Sequence, residues 1–125
     1  MNITELKLRA WDKWNECYLY SDKHKTLSAF FLMCEGLING GNELVYERFT
    51  GLKGKNEKDI YEGDIVKETI SHKKQLIYTI RFGEYETYAH YHIGFYYVED
   101  NEPFAGRTGS TEVIGNINEN KDLLN

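Results

Sequence analysis

The sequence predicts a mainly β protein with a small SH3-like β-barrel in its C-terminal part, an N-terminal β-hairpin extension and one short helix. Ten Tyr, six Phe and two Trp occur against a single Pro, although only 41% of the residues are apolar. Aromatic side chains in this proportion are typical of half-buried sheet faces rather than of a helix bundle. At 125 residues the chain is long enough for one ordinary domain with its own core.

A β-hairpin with a five-residue connection is predicted for residues 5–20. Along its first strand, apolar residues alternate with charged ones and share one face: Leu6, Leu8 and Ala10. Turn-forming residues then lead into a return strand, Cys17–Tyr20. We expect Trp11 and Trp14 to pack across this hairpin inside their own domain, although exposed Trp pairs also anchor interfaces.

The segment from residue 21 to residue 41 has an ambiguous pattern. Five apolar side chains recur at helical spacing, but residues 30–33 alone would also suit a buried strand; the five are Leu27, Phe30, Phe31, Cys34 and Ile38. We expect a short helix here, closed by Gly36 and by the pair Gly40 and Gly41.

Alternating polar and apolar residues continue in the C-terminal part. Residues 43–50 and 64–70 are predicted strands on either side of a polar turn, and residues 75–82 complete a second hairpin. We expect residues 83–86 to turn the chain again, before a long aromatic strand over 87–98 in which Gly94 marks a bend or bulge. A long loop over 99–110 and a closing strand over 111–116 follow.

We divide the chain at residue 50. Residues 1–50 are predicted to form the N-terminal extension and residues 51–125 the β-barrel, although the two parts could form one compact unit. A lone hairpin is not stable by itself, and an edge that carries large apolar side chains tends to be covered by another chain. We therefore expect a homo-oligomer held through residues 6–49.

Three segments carry a resemblance to one protein family. They are Leu8-Arg9-Ala10-Trp11-Asp12-Lys13, the central Thr50-Gly51-Leu52-Lys53 with Asp59-Ile60-Tyr61-Glu62-Gly63-Asp64-Ile65-Val66, and the closing Glu112-Val113-Ile114-Gly115-Asn116-Ile117. Together they resemble the YopX family of phage and prophage proteins, whose biochemical role is not established. The resemblance implies a phage-encoded, cytoplasmic, mainly β protein with no assigned catalytic residues.

The central motif is predicted to reverse the chain at Gly63. The carboxylates around it, those of Asp59, Glu62 and Asp64, could form an acid–base pair or an oxygen site for a hard cation. We favour a simpler role, in which Asp side chains accept backbone N–H groups at the turn. Upstream, Glu57 stands where the family usually has Gly, which leaves Asn56 to supply any left-handed conformation.

Charge and composition disfavour several functional classes. The net charge of −5, from 20 acidic and 15 basic residues, would repel a phosphate backbone. Cys17 and Cys34 are too few for a disulfide framework, lack a CxxC pair and fit a reducing compartment. The longest apolar run, residues 29–34, is far shorter than the ~20 residues that span a bilayer, and no signal peptide is indicated. We expect a cytoplasmic protein of the bacterial host cell, without a cofactor.

The aromatic strand supplies the weak candidates for binding. Four aromatic residues interleaved with two histidines resemble a stacking platform for bases: Tyr88, Tyr91, Phe95 and Tyr96 with His90 and His92. Because no Lys or Arg lies between Glu84 and Glu102, a plain sheet core is favoured. The two histidines could ligate a metal if His72 or Glu86 supplied a third ligand, but His-x-His alone is a weak signal and we predict no metal.

The missing catalytic signature decides the functional hypothesis. We expect a non-enzymatic interaction module that binds a host or phage macromolecule, with an unidentified protein as its partner. The alternative is a single-stranded nucleic-acid-binding protein that uses the aromatic strand. A metal-assisted hydrolase that uses His90 and His92 is the third hypothesis.

Overall fold

The computed structural model describes residues 6–88, 90–104 and 110–124. Within these residues the chain forms nine β-strands and one α-helix, which confirms the predicted mainly β fold. The chain divides into two compact units, Met1–Phe49 and Thr50–Asn125.

The first unit is a sheet with a helix packed on one face. Strands β1 (Leu8–Asp12), β2 (Cys17–Tyr20) and β3 (Leu44–Lys53) are antiparallel in the order β2-β1-β3. The last part of β3, from Thr50, belongs to the second unit. Helix α1 spans Leu27–Asn39. Ala10 of β1 is fully buried in a cluster with two residues of α1, Phe30 and Cys34. The thiol of Cys34 is therefore part of the core, and burial raises its pKa.

Helix α1 confirms the predicted short helix. Thr26 caps it, because its Oγ1 accepts a hydrogen bond from the Ala29 N–H at 3.0 Å. The helix ends at Gly40, followed by Gly41 at a φ of +102°. Gly36 lies inside the helix and does not close it.

Of the two tryptophans predicted to pack across the N-terminal hairpin, Trp11 does so, against its cross-strand partner Tyr18, and Trp14 does not. Trp11 is buried, with its ring 4.9 Å from that of Tyr18, whereas Trp14 is 76% exposed in the connection to β2. Asp12 organises this connection, since its Oδ1 accepts the N–H groups of Trp14 and Asn15 at 2.9 and 3.1 Å. Burial would raise the pKa of Asp12, but its hydrogen bonds outweigh that effect and the pKa lies below its usual value.

The second unit is built on a curled, half-barrel sheet. Its five strands lie in the order β8-β7-β6-β5-β9, with β5 at Asp64–Ser71, β6 at Lys74–Thr87, β7 at His90–Tyr97, β8 at Glu102–Pro103 and β9 at Thr111–Asn116. Strand β4 (Asp59–Tyr61) is hydrogen-bonded to β3. The core consists of Ile60, Val66, Tyr78, Ile80 and Phe104. The predicted loop over 99–110 contains β8, and its residues 105–109 lie outside the described residues.

Strand β6 does not turn at residues 83–86 as predicted. It continues for 14 residues, because Gly83 pairs with Gly94 of β7 and the ladder runs on to Thr87 and His90. Two glycines opposite each other let the ribbon bend without breaking its pairing. The side-chain amide of Asn101, beyond the end of β7, donates to the Glu86 carbonyl, so the ribbon curls back on itself.

Candidate interaction surfaces

The central motif has a structural role at Gly63. This residue has a φ of +86°; its N–H donates to the Ile80 carbonyl at 2.7 Å, and its carbonyl accepts the Ile117 N–H at 2.9 Å. Asp64 is buried, and its Oδ2 accepts the Tyr61 N–H at 2.8 Å. The favoured prediction for Asp64, a carboxylate that builds the turn, agrees with this geometry.

The first segment of the motif forms hydrogen bonds that connect β3 to β4. The hydroxyl of Thr50 donates to the Ile60 carbonyl at 2.7 Å and accepts the Leu52 N–H at 3.2 Å, around Gly51 at a φ of +87°. Further along, Asn56 adopts the expected left-handed conformation at a φ of +63°, and Glu57 adopts it too, at +57°. The connection between β3 and β4 therefore contains two non-glycine residues, Asn56 and Glu57, in a conformation that favours glycine.

Register divides the predicted binding residues of β7 between two faces. Tyr91 and Phe95 lie on one face, and His90, His92 and Tyr96 on the other. Phe95 packs against the core of the second unit, while Tyr91 is 59% exposed. Tyr88 lies beyond the end of β6 and is fully exposed. These residues therefore do not form one continuous platform.

On the second face, three aromatic rings form a stack. Tyr85 lies between His92 and Tyr96, at centroid distances of 4.9 and 4.8 Å and interplanar angles of 19° and 17°. Arg81 is paired directly across from Tyr96. Tyr85 and Arg81 were not among the candidates predicted from the sequence, because a turn was predicted at 83–86 and cross-strand neighbours follow only from the correct register.

The histidine pair is not assembled into a metal centre among the described residues. The rings of His90 and His92 are 6.2 Å apart, and Nε2 of His92 is hydrogen-bonded to the Thr87 hydroxyl at 2.8 Å. No group of three or more His, Cys, Asp or Glu in the described ranges could hold a metal ion. Asp59 of the central motif instead pairs with Lys53 at 3.2 Å.

Carboxylates in the second unit are engaged by hydroxyl groups. Buried Glu68 accepts hydrogen bonds from the hydroxyls of Thr111, at 2.6 Å, and Tyr97. Tyr78 donates to Asp100 at 2.6 Å, and this hydrogen bond, helped by burial and neighbouring carboxylates, raises the pKa of Tyr78 to about 12. These contacts bind the strands together rather than presenting a reactive group.

Helix α1 presents an apolar outer side that the sequence analysis did not single out. Phe31, Leu32 and Ile38 are 42%, 71% and 45% exposed, and Glu35 is the only charged residue in the helix. The ring of Phe31 also contacts that of Tyr46 on β3, at 5.9 Å. We call Phe31, Leu32, Ile38 and Tyr46 the α1 surface. Helical periodicity could have indicated it, since more apolar positions are present than one buried stripe needs.

These features define a mainly β protein with a helix-covered sheet in one unit and a half-barrel sheet in the other. A family model described as YopX protein matches residues 7–125. The chain belongs to the YopX family, as its three motif segments predicted. No curated protein matches the sequence.

One solved structure of similar fold is the crystal structure of protein EF1440 from Enterococcus faecalis. Its TM-score is 0.55 at 23% sequence identity, and the match covers 96% of this chain and 98% of that chain. At this identity the likeness extends to the fold alone. Among the described residues, no helix is both long and apolar enough to cross a bilayer.

Proposed function

We propose that this protein is a non-enzymatic interaction module that binds a host or phage protein through the α1 surface. One observation carries the proposal: α1 buries Phe30 and Cys34 yet exposes Leu32 and Ile38 on its other sides. A surface helix normally places charged residues opposite its buried stripe, and a helix that is apolar nearly all round is normally covered.

The composition of the α1 surface favours a protein partner. Singly exposed apolar residues are common, but adjacent ones mark protein interfaces. Phe31 of α1 and Tyr46 of β3 are both exposed, and their rings contact each other at 5.9 Å. Because α1 contains no Lys or Arg, its outer side offers nothing to pair with phosphate. A partner with its own apolar patch would cover this side at little desolvation cost.

Site-specific photo-crosslinking tests the proposal. A photoreactive amino acid at Leu32 should capture a protein in infected host cells, whereas the same amino acid at Ile77, which is 39% exposed on β6, should not. The variant L32Q/I38Q should fold normally, because neither side chain belongs to the buried cluster of the first unit, and it should fail to compete for the captured protein. Equal capture at both positions, or capture of a second copy of this chain through Leu32, would contradict the proposal.

The second candidate function, binding of single-stranded nucleic acid, is favoured by the aromatic stack beside Arg81. Tyr85, His92 and Tyr96 stack in one row, and the guanidinium could meet a phosphate at its end. This reading predicts oligonucleotide affinity that falls with salt and that R81A and Y96A both weaken. Fluorescence anisotropy with a labelled oligonucleotide distinguishes it, since the α1 proposal expects both variants to match the unmodified protein.

A further inference from the structure

The end of the β6–β7 hairpin carries an exposed aromatic residue in a strained conformation. Tyr88 has a φ of +43° and its side chain is fully exposed. A bulky residue rarely adopts this conformation, which Gly or Asn would adopt at lower cost. Tyr91 and Ile93, close to it on β7, are 59% and 68% exposed. The two-residue connection between Thr87 and His90 accounts for the positive φ, because tight hairpin turns require it. The choice of a bulky, fully exposed aromatic residue at this position, rather than Gly or Asn, points to a contact with another molecule.

The charge around this hairpin end is of one sign. Glu84 and Glu86 lie on the same face as Tyr91 and Ile93, and both carboxylates are exposed. The sequence has no Lys or Arg between Arg81 and Arg107. A surface that receives the hairpin end must therefore combine an apolar cleft with positive charge.

The first unit contains a cleft with those properties. Its volume is about 350 Å³, and Leu6, Lys7, Lys25 and Leu27 line it together with Asp22 and His24. Leu6 is 48% exposed, and Lys25 is exposed as well. A cavity of about 150 Å³ is enough for a benzene ring, so a tyrosine ring fits here with room for its neighbours. We call this cleft the Lys25 groove.

We propose that the hairpin end of one copy docks into the Lys25 groove of a second copy of this chain. Tyr88 enters between Leu6 and Leu27, and Glu86 faces Lys25. The contact joins two different surfaces, so copies associate head to tail into a ring, or reciprocally as a pair. This assembly does not use Phe31, Leu32 or Ile38 of the α1 surface, and it therefore goes beyond the proposed function.

The variant Y88G tests the effect of Tyr88 on assembly separately from its effect on folding. In Y88G the φ of +43° costs little, so the isolated chain should melt at the same or a higher temperature, while sedimentation equilibrium should detect only monomers. E16G is the matched control, because Glu16 also has a positive φ, of +54°, at an exposed position in the β1–β2 connection. It should assemble like the unmodified protein.

Charge exchange tests the pairing of the two surfaces. E86K and K25E should each be monomeric, because each variant sets like charges against each other at every contact. An equimolar mixture should assemble again: Lys at position 86 of the first variant meets Glu at position 25 of the second, and the native Glu86 of the second meets the native Lys25 of the first. Added salt should weaken both the unmodified and the mixed assembly.

Four results would overturn the inference. The first is an unmodified protein that remains monomeric at all concentrations tested. The second is retained assembly in Y88G, and the third is a mixture of E86K and K25E that stays monomeric. A photoreactive amino acid at Tyr88 that captures another protein and not this chain would assign the hairpin end to a different partner.

Discussion

Replacement of Gly63 by Val should destabilise the protein strongly. The φ of +86° is a left-handed conformation that costs an ordinary residue ~1–2 kcal/mol and a β-branched residue more. The strain cannot relax by local rotation, because the peptide groups of Gly63 are tied to Ile80 and Ile117 by hydrogen bonds of 2.7 and 2.9 Å. The cost for Val lies near the upper end of the ~1–3 kcal/mol range for such strain. The lower entropy of the unfolded variant offsets ~0.4–1 kcal/mol of it, which leaves a net loss of about 2 kcal/mol.

Urea denaturation followed by far-UV circular dichroism measures this loss. Both tryptophans lie in the first unit, so tryptophan fluorescence would not report directly on the unit that contains Gly63. With an m-value of ~1–3 kcal/mol/M, the midpoint should fall by roughly 1 M. G63N is the control, because Asn tolerates the left-handed region and should lose less stability than Val. An unchanged midpoint in G63V, or a variant G63N no more stable than G63V, would refute the reasoning.

Three further predictions concern the second unit. G54A should lose ~1–3 kcal/mol of stability by chemical denaturation, because the added Cβ would lie 2.5 Å from the Thr111 carbonyl oxygen. E57G should gain up to ~1 kcal/mol in the same assay, since Gly relieves a φ of +57°. The hydrogen bond to Asp100 raises the pKa of Tyr78 from 10.0 to about 12, so the stability it contributes is complete below pH 10.0 and is lost as the pH rises to about 12. The melting temperature of Y78F should therefore fall less across that range, and parallel curves would contradict this.

Sequence patterns predicted where the strands and the helix lie more accurately than they predicted which residues are paired across strands. The sequence predicted a long aromatic strand over 87–98, and β7 at His90–Tyr97 confirms it. The turn predicted at 83–86 was wrong. Gly83 was interpreted as a turn residue, but it is paired with Gly94, eleven positions away, and this pairing keeps the β6–β7 ladder intact. That error also hid Arg81, whose position beside Tyr96 follows from the pairing.

The exposure of Trp14 and of the outer side of α1 could not be predicted from sequence patterns, for a related reason. Periodicity identifies an apolar stripe, but the width that the core covers depends on the surface against which the helix packs. In α1, residues Phe30 and Cys34 are covered while Leu32 is 71% exposed. Likewise, composition could not show that Asp12 would organise a short connection that leaves Trp14 exposed.

The Gly83–Gly94 pair also explains why apolar side chains of β7 are exposed at the hairpin end. Before the glycines, Tyr78 and Ile80 on one face of β6 are buried; beyond them, it is Tyr85 on the opposite face that is buried. Alternation along β7 continues past Gly94, so Ile93 lies on the same face as Phe95, which packs against the core. Ile93 is nevertheless 68% exposed. Beyond Gly83, β6 carries the exposed Glu84 and Glu86 on this face, whereas β7 carries the exposed Tyr91 and Ile93. Polar residues of this kind are expected where a sheet extends past its core, but the exposed pair on β7 is not, and such a pair is typical of a surface that another molecule covers.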